Sequence, residues 1–238
     1  MPNNYFQFKL FKINQDKTAM KVGTDGVLLG AWTNCNIATK VLDVGTGTGL
    51  IALMMAQRSK AMIEAVEIEI NAWLQAKTNF ENSPWAYRLK VENASFQSYC
   101  DKGLVKIYDL IVCNPPFFNN SYKPESPQRE IARHSILLSP LDLVSGVNQL
   151  LKDEGLFSVI LPFSTHKEFI EIAEKNDLFC CRITIVRPLP NLEPHRVLME
   201  FRKQQINCIE NSLCIETGER HQYSADYIEL TKDFYLNF

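Results

Sequence analysis

Residues 41–50 read Val41-Leu42-Asp43-Val44-Gly45-Thr46-Gly47-Thr48-Gly49-Leu50. The first four residues predict a buried strand, and the apolar run from Leu50 to Gln57 predicts a helix. Glycines between them let the backbone approach a ligand closely, and the free N–H groups at the helix start suit an anion such as a carboxylate. The glycines follow the spacing G-x-G-x-G, with Asp43 two residues before the first, whereas NAD(P)-binding loops use G-x-G-x-x-G. The loop therefore predicts a nucleotide-like cofactor other than NAD(P).

The alternation of strand and helix continues along the chain. Strands are predicted at 62–67, 88–92, 108–113 and 156–161, helices at 70–80, 140–151 and 165–175, and β-rich runs at 179–187 and 196–202. Strands that alternate with helices form parallel βαβ units, so we expect an α/β fold with a doubly wound, mostly parallel sheet. In such sheets the ligand binds beyond the carboxyl ends of the strands.

The two ends of the chain are expected to extend this core within one domain. Residues 1–38 would form an N-terminal extension, with a strand over 5–13 and a short helix after Gly26 capped by Thr24 or Asp25. Residues 39–204 would form the core, and residues 205–238 a C-terminal addition of mixed strand and short helix.

Composition narrows the class of protein. Of 238 residues, 46% are hydrophobic and 22% charged, as in soluble globular proteins, and the formal net charge of −2 means that any nucleic-acid site must be a local patch. Seven cysteines without a C-x-x-C pair predict neither a disulfide framework nor a zinc site, and favour a reducing cytoplasm. No apolar run approaches the roughly 18 residues of a membrane span, and no secretory signal is expected.

Polar residues follow the next two strands. Glu67 closes the second strand, 22 residues after Gly45, where an acid can accept both hydroxyls of a ribose; Glu69 is the alternative. Asn93 and Ala94 follow the third strand, where a side-chain amide and a small residue can border an adenine ring. Each could also be an ordinary solvated strand end.

The fourth strand, 108–113, ends in Asn114-Pro115-Pro116-Phe117. The prolines cannot continue a central ladder, so the strand stops there with a stiff backbone. An amide, a carbonyl and an aromatic ring held together can grip a planar group that bears an NH2. A plain turn is the alternative interpretation of this stretch taken alone.

The four strand-end motifs together resemble the class I S-adenosylmethionine-dependent methyltransferases, with a Rossmann-like sheet of seven strands. Asn114-Pro115-Pro116-Phe117 is similar to the motif of enzymes that methylate exocyclic or amide nitrogens. The segment from Met20 to Trp32 resembles the N-terminal signature of the bacterial tRNA1(Val) adenine-N6 methyltransferases. That resemblance implies methyl transfer from S-adenosylmethionine to adenine 37 of tRNA1(Val), with no metal ion.

The resemblance also implies roles for particular residues. Cofactor contacts would come from Lys21, Thr24, Asp43, Gly45, Thr46, Gly47, Gly49, Glu67, Asn93, Ala94 and Asn114. Catalysis would use the Asn114 side-chain oxygen and the Pro115 carbonyl to accept the two N6 protons, with Pro116 stiffening the turn and Phe117 stacking on the base. The basic residues that follow the motif, Lys123, Arg129 and Arg133, would contact RNA phosphates.

Three other functions stay open at this point. An rRNA guanine-N2 methyltransferase fits the same motif. A protein glutamine N5-methyltransferase would carry Tyr after the prolines and a separate helical domain before the core. An RNA-binding module that has lost catalysis would be expected to lack intact glycines or an intact Asn-Pro-Pro-Phe motif.

Overall fold

A computed structural model describes residues 3–18, 20–115, 138–218 and 221–237 of the chain. Five of the predicted site residues lie outside these ranges: Pro116, Phe117, Lys123, Arg129 and Arg133. Within the described ranges, no helix is both long and apolar enough to cross a bilayer.

The core is one eight-stranded sheet with the strand order β10-β8-β9-β7-β6-β3-β4-β5. Its strands are β3 (Lys40–Val44), β4 (Met62–Glu67), β5 (Leu89–Asn93), β6 (Tyr108–Cys113), β7 (Leu151–Pro162), β8 (Phe179–Arg187), β9 (Arg196–Arg202) and β10 (Ile209–Cys214). Every neighbouring pair is parallel except the two that involve β9. The prediction of a mostly parallel α/β sheet is confirmed.

Helices cover both faces of this sheet. They are α1 (Thr24–Trp32), α2 (Leu50–Arg58), α3 (Ile70–Glu81), α4 (Phe96–Cys100), α5 (Pro140–Leu150), α6 (His166–Glu174) and α7 (Ala225–Thr231), with 3₁₀ turns at Ala86–Arg88 and Phe163–Thr165. One apolar cluster joins α1, α2, α3 and α7, and a second joins α4, α5 and α6. Successive strand residues alternate between the clusters, as Val41 and Leu42 do, because side chains on a strand point to opposite faces. The sheet is therefore doubly wound.

The prediction of seven strands is wrong because the C-terminal addition supplies an eighth. β10 lies parallel to β8 at the edge of the sheet, and only Leu213 among its residues is buried. Strand was expected within residues 205–238, but an edge strand with one buried side chain has no apolar alternation that would assign it to the central sheet.

The N-terminal predictions also need correction. Residues 5–13 do not form one strand: β1 (Tyr5–Gln7) and β2 (Lys12–Asn14) pair antiparallel across a turn in which Phe8 N donates to Phe11 O. Neither Thr24 nor Asp25 caps α1, since Gly23 is the N-cap and no side chain forms a capping hydrogen bond there. Aromatic residues inside the turn, buried against the core, produce the strand-like pattern that suggested a single element.

Helix α1 approaches α2 closely through two glycines. A Cβ atom on Gly30 would lie 2.5 Å from Met54 Sδ, and one on Gly26 would lie 2.9 Å from Leu50 Cδ2. A larger residue at either position would force the facing side chain or the helix to shift. The first turn of α1 is thereby fixed beside the loop between β3 and α2.

Candidate active site

A cavity of about 710 Å³ lies beyond the carboxyl ends of β3, β4, β5 and β6. Its wall comes from residues within segments 18–26, 44–51, 66–72 and 94–97, together with Asn114, Pro115 and Leu138. This volume lies in the range of pockets that enclose nucleoside-sized ligands. The segments are the strand ends that carry the sequence motifs, plus the stretch before α1.

The glycine loop forms one side of the cavity. Gly45, Gly47 and Gly49 have φ values of 69°, 58° and 85°, in the left-handed region that favours glycine. A Cβ atom on Gly45 or Gly47 would meet no atom within 4 Å, whereas one on Gly49 would lie 2.5 Å from Phe80 Cε1. The first two glycines therefore leave open space beside the backbone, and the third allows close packing on α3.

Asp43 lies behind the cavity wall and supports the loop. Its Oδ2 accepts hydrogen bonds from Thr46 Oγ1 (2.6 Å) and from Ala52 N (3.2 Å). The carboxyl is fully buried, and burial raises its pKa to about 7 although these two hydrogen bonds act in the opposite direction. Thr46 lines the cavity, so the predicted contribution of Asp43 to the site is indirect, through Thr46 and the start of α2.

Glu67 lines the cavity and is also tied to the glycine loop. Its Oε2 accepts from Gly47 N (2.8 Å) and its Oε1 from Glu69 N (2.9 Å). Each carboxylate oxygen can accept a further hydrogen bond, which suits the two hydroxyls of a ribose. The Glu69 carboxylate instead caps α3 by accepting from Asn71 N and Ala72 N. Of the two acids, Glu67 is the better placed for a ligand.

Asn93 lies outside the cavity wall, whereas Ala94 is part of it. The Asn93 amide donates to Glu67 O (2.8 Å) and Ile68 O (3.1 Å), outside the cavity wall. Ala94 lines the cavity and donates its N–H to Glu67 O. Asn93 thus fixes the backbone that presents Glu67, and of the two predicted residues only Ala94 faces the cavity.

Asn114 and Pro115 lie at the end of β6, in the same wall as the glycine loop and Glu67. Asn114 is half-buried and Pro115 is buried. The preceding thiol of Cys113 is fully buried, and burial raises its pKa well above the ordinary range, which fits packing in the sheet. The described part of the motif therefore places one side-chain amide at the cavity.

Lys21 and Thr24 also line the cavity, and three buried amide side chains hold that segment in place. Asn79 Nδ2 donates to Asn14 O (2.9 Å) and to Thr48 O (2.8 Å). Gln75 Oε1 accepts from Lys17 N, and Gln15 Oε1 from Val22 N. Sequence reasoning missed these residues, although two amides four positions apart on α3 were the available signal.

Within the ranges that the structure describes, no group of three His, Cys, Asp or Glu side chains is arranged to hold a metal ion. All seven cysteines are free thiols.

Solved structures share the fold. A predicted O-methyltransferase from Agrobacterium tumefaciens superposes with a TM-score of 0.68 at 17% identity, covering 88% of this chain and 96% of that one. P. horikoshii TYW2, in complex with MeSAdo, superposes with a TM-score of 0.58 at 14% identity, covering 84% and 71%. At these identities the likeness concerns architecture alone.

Comparison of sequences finds relatives of much higher identity. The model of the Methyltransferase small domain family matches residues 20–138. A protein of Trichodesmium erythraeum is 50% identical and covers 100% of both chains, and one of Flavobacterium psychrophilum is 47% identical over 97% of this chain and 99% of its own. Both are named tRNA1(Val) (adenine(37)-N6)-methyltransferase. With full-length identity at this level, the chain belongs to the tRNA1(Val) (adenine(37)-N6)-methyltransferase family, whose members are S-adenosylmethionine-dependent enzymes.

Proposed function

We propose that this methyltransferase transfers the methyl group of S-adenosylmethionine to the exocyclic N6 of adenine 37 in tRNA1(Val). One observation carries the proposal: Asn114 and Pro115 line the same cavity as the glycine loop and Glu67. Acceptors for an amino group therefore stand beside a site of nucleoside size. The names of the full-length relatives support the choice of tRNA and of adenine 37.

The cavity residues fit the cofactor. Glu67 presents carboxylate oxygens for the ribose, Ala94 leaves room for a flat base, and the open space beside Gly45 and Gly47 admits a close approach. Lys21 in the same wall suits a ligand carboxylate. When bound, S-adenosylmethionine supplies a methyl group on a positively charged sulfur.

Asn114 and Pro115 prepare the nucleophile. The N6 lone pair of adenine is delocalised into the ring and is a poor nucleophile. Hydrogen bonds from its two protons to the Asn114 side-chain oxygen and the Pro115 carbonyl raise the electron density on nitrogen and orient it. Neither acceptor is a base. When the nitrogen–carbon bond forms, the carbon–sulfur bond of the cofactor would break to leave S-adenosylhomocysteine, and the surplus proton on nitrogen would pass to water. Holding the reactants in line supplies much of the acceleration.

The proposed contacts with the RNA are inferred from the sequence alone. An adenine can enter the cavity only when it is unstacked, which costs least in a loop such as the anticodon loop. Phe117 would stack on that base, and Lys123, Arg129 and Arg133 would bind the adjoining phosphates; these residues lie outside the described ranges. The rRNA and protein-glutamine alternatives gain no support from the full-length relatives.

The test is methyl transfer from labelled S-adenosylmethionine to unmodified tRNA1(Val) transcript. We expect transfer to stop when guanine replaces adenine 37, and to fall roughly 100-fold or more in Asn114→Ala, the scale of losing one oriented hydrogen-bonding group. Asn211→Ala, an exposed asparagine on β10, is the matched control and should behave as wild type. Transfer that persists without adenine 37 would reject the substrate, and near-normal turnover of Asn114→Ala would reject the role of that amide.

A further inference from the structure

A carboxylate in the cavity wall has its partner far along the chain. Asp25, in the first turn of α1, lines the cavity, and its Oδ2 accepts a hydrogen bond of 2.7 Å from Nε of Arg196, the first residue of β9. The two side chains are 27% and 17% exposed. Asp25 does not cap α1, because Gly23 is the N-cap. Its position is therefore set by Arg196 and not by the requirements of the helix start.

The acidic residues of the cavity wall fall into two groups. Glu67 ends β4 and Glu69 comes two residues later, on the β5 side of the glycine loop. Asp25 is anchored on the other side: Arg196 pairs with Pro162 at the end of β7, and β7 is the neighbour of β6, which carries Asn114. Asp25 is thus the carboxylate at the Asn114 end of the cavity.

The direction of the cofactor follows from this arrangement. With the ribose on Glu67, the transferred methyl group has to face Asn114, so the methionine portion beyond the sulfur lies at the Asn114 end. That portion carries an α-ammonium group, which needs a hydrogen-bond acceptor when it leaves water. The α-carboxylate of the same portion is the natural partner of Lys21.

We propose that Asp25 binds the α-ammonium group of the methionine portion, and that Arg196 is a positioning residue that fixes the Asp25 carboxylate. This inference rests on the proposed function and names a contact that the sequence motifs do not assign. A carboxylate offers about four acceptor sites on its two oxygens, so it can serve an arginine and an ammonium group together. Arg196 Nη1 also donates to His195 O (3.0 Å), which holds the planar guanidinium from a second point.

The experiment measures binding by calorimetry and needs no turnover. The ligands are S-adenosylhomocysteine and its deaminated analogue, in which hydrogen replaces the α-ammonium group. We expect wild-type protein to bind the analogue roughly 10- to 100-fold more weakly, the range for one charge-assisted hydrogen bond. Asp25→Asn should bind S-adenosylhomocysteine more weakly than wild type by a similar factor. Its affinities for the two ligands should differ by less than about threefold.

Three further variants separate this role from a structural one. Arg196→Gln should weaken the binding of S-adenosylhomocysteine and reduce the difference in affinity between the two ligands. Arg196→Lys should restore part of both. Asp226→Asn, a matched acid in the first turn of α7, should bind both ligands as wild type does. A variant that is merely distorted would lose both ligands equally and keep its discrimination.

The outcomes are distinguishable. Full discrimination retained in Asp25→Asn and in Arg196→Gln would overturn this inference and leave the proposed function standing. Wild-type protein that does not bind S-adenosylhomocysteine would overturn the proposed function, and this inference with it. If Asp25→Asn fails to fold, the Arg196 variants decide the question alone.

Discussion

Asp43 is held in a position that opposes its ionisation. The carboxyl is fully buried, its Oδ2 serves Thr46 and Ala52, and its Oδ1 has no hydrogen-bond partner among the described residues. Burial raises the pKa to about 7, against hydrogen bonds that favour the charged form. The acid that supports the glycine loop is therefore neutral in slightly acidic solution and acts there as a hydrogen-bonding group.

This pKa makes stability depend on pH, with a sign that can be tested in Asp43→Asn. The folded pKa exceeds the unfolded value near 4, so the folded protein binds the proton more tightly than the unfolded chain does. Wild-type stability relative to Asp43→Asn should be greatest near pH 4 and fall as pH rises to about 7, by at most about 1.4 kcal/mol per pH unit. Urea unfolding at pH 5, 6, 7 and 8 measures the difference. Parallel profiles for the two proteins would contradict the expectation.

Single residues also show what the sequence can indicate about position. That Glu67 and Asn114 lie at one cavity could be predicted, because parallel strands bring their carboxyl ends to one edge. The indirect roles of Asp43 and Asn93 could not, because spacing does not reveal whether a polar side chain turns toward a ligand or toward a neighbouring backbone. The pairing of Asp25 with Arg196 joins residues 171 positions apart and leaves no local signal.

At the scale of the element, the glycine loop contains two kinds of glycine. Alanine at Gly47 or Gly49 should lower the free energy of unfolding by about 1–2 kcal/mol, because both residues have a left-handed backbone conformation. Alanine at Gly49 also collides with Phe80, which should add about 1–3 kcal/mol of destabilisation. Alanine at Gly47 fills open space in the cavity wall, so it should weaken S-adenosylhomocysteine binding at least about tenfold. Urea unfolding and calorimetry measure the two effects separately.

Gly103 provides the matched control for these variants. It has a φ of 73°, a Cβ atom on it would meet nothing within 4 Å, and it lies outside the cavity wall. Gly103→Ala should lose as much stability as Gly47→Ala and keep wild-type affinity for S-adenosylhomocysteine. Equal affinities for Gly47→Ala and Gly103→Ala would show that no ligand approaches the loop at Gly47.

Elements with a strong apolar pattern were predictable, and weakly patterned ones were not. The bounds of β4 and β6 match the sequence prediction, since both strands are short apolar runs inside βαβ units. β10 is mostly exposed, and α4 has only five residues, so neither has enough periodicity to be detected. The turn between β1 and β2 was missed because buried aromatic residues continue through it.

For the whole molecule, the formal net charge of −2 gives no general attraction to RNA. Binding of RNA must therefore depend on the positions of lysine and arginine side chains on the surface. Each contact with a phosphate adds to the salt dependence of the affinity for RNA. The sequence places Lys123, Arg129 and Arg133 directly after the Asn114 motif. The carboxyl ends of the parallel strands form the edge where this motif and the cavity meet, so a local patch at that edge is what the proposed function requires.

Replacing Lys123, Arg129 and Arg133 together with glutamine should raise the KM for tRNA and leave the Kd for S-adenosylhomocysteine unchanged. If each of the three cations meets one phosphate, the slope of log Kd against log salt concentration should fall by roughly 2 to 3, since each contact contributes about 0.7–0.9. Lys60, Lys106 and Lys175 make a control of equal charge, because these exposed lysines lie at the opposite edge, near the starts of β4, β6 and β8. Equal slopes for the two triple variants would mean that only net charge matters, and that the phosphates bind elsewhere on the protein.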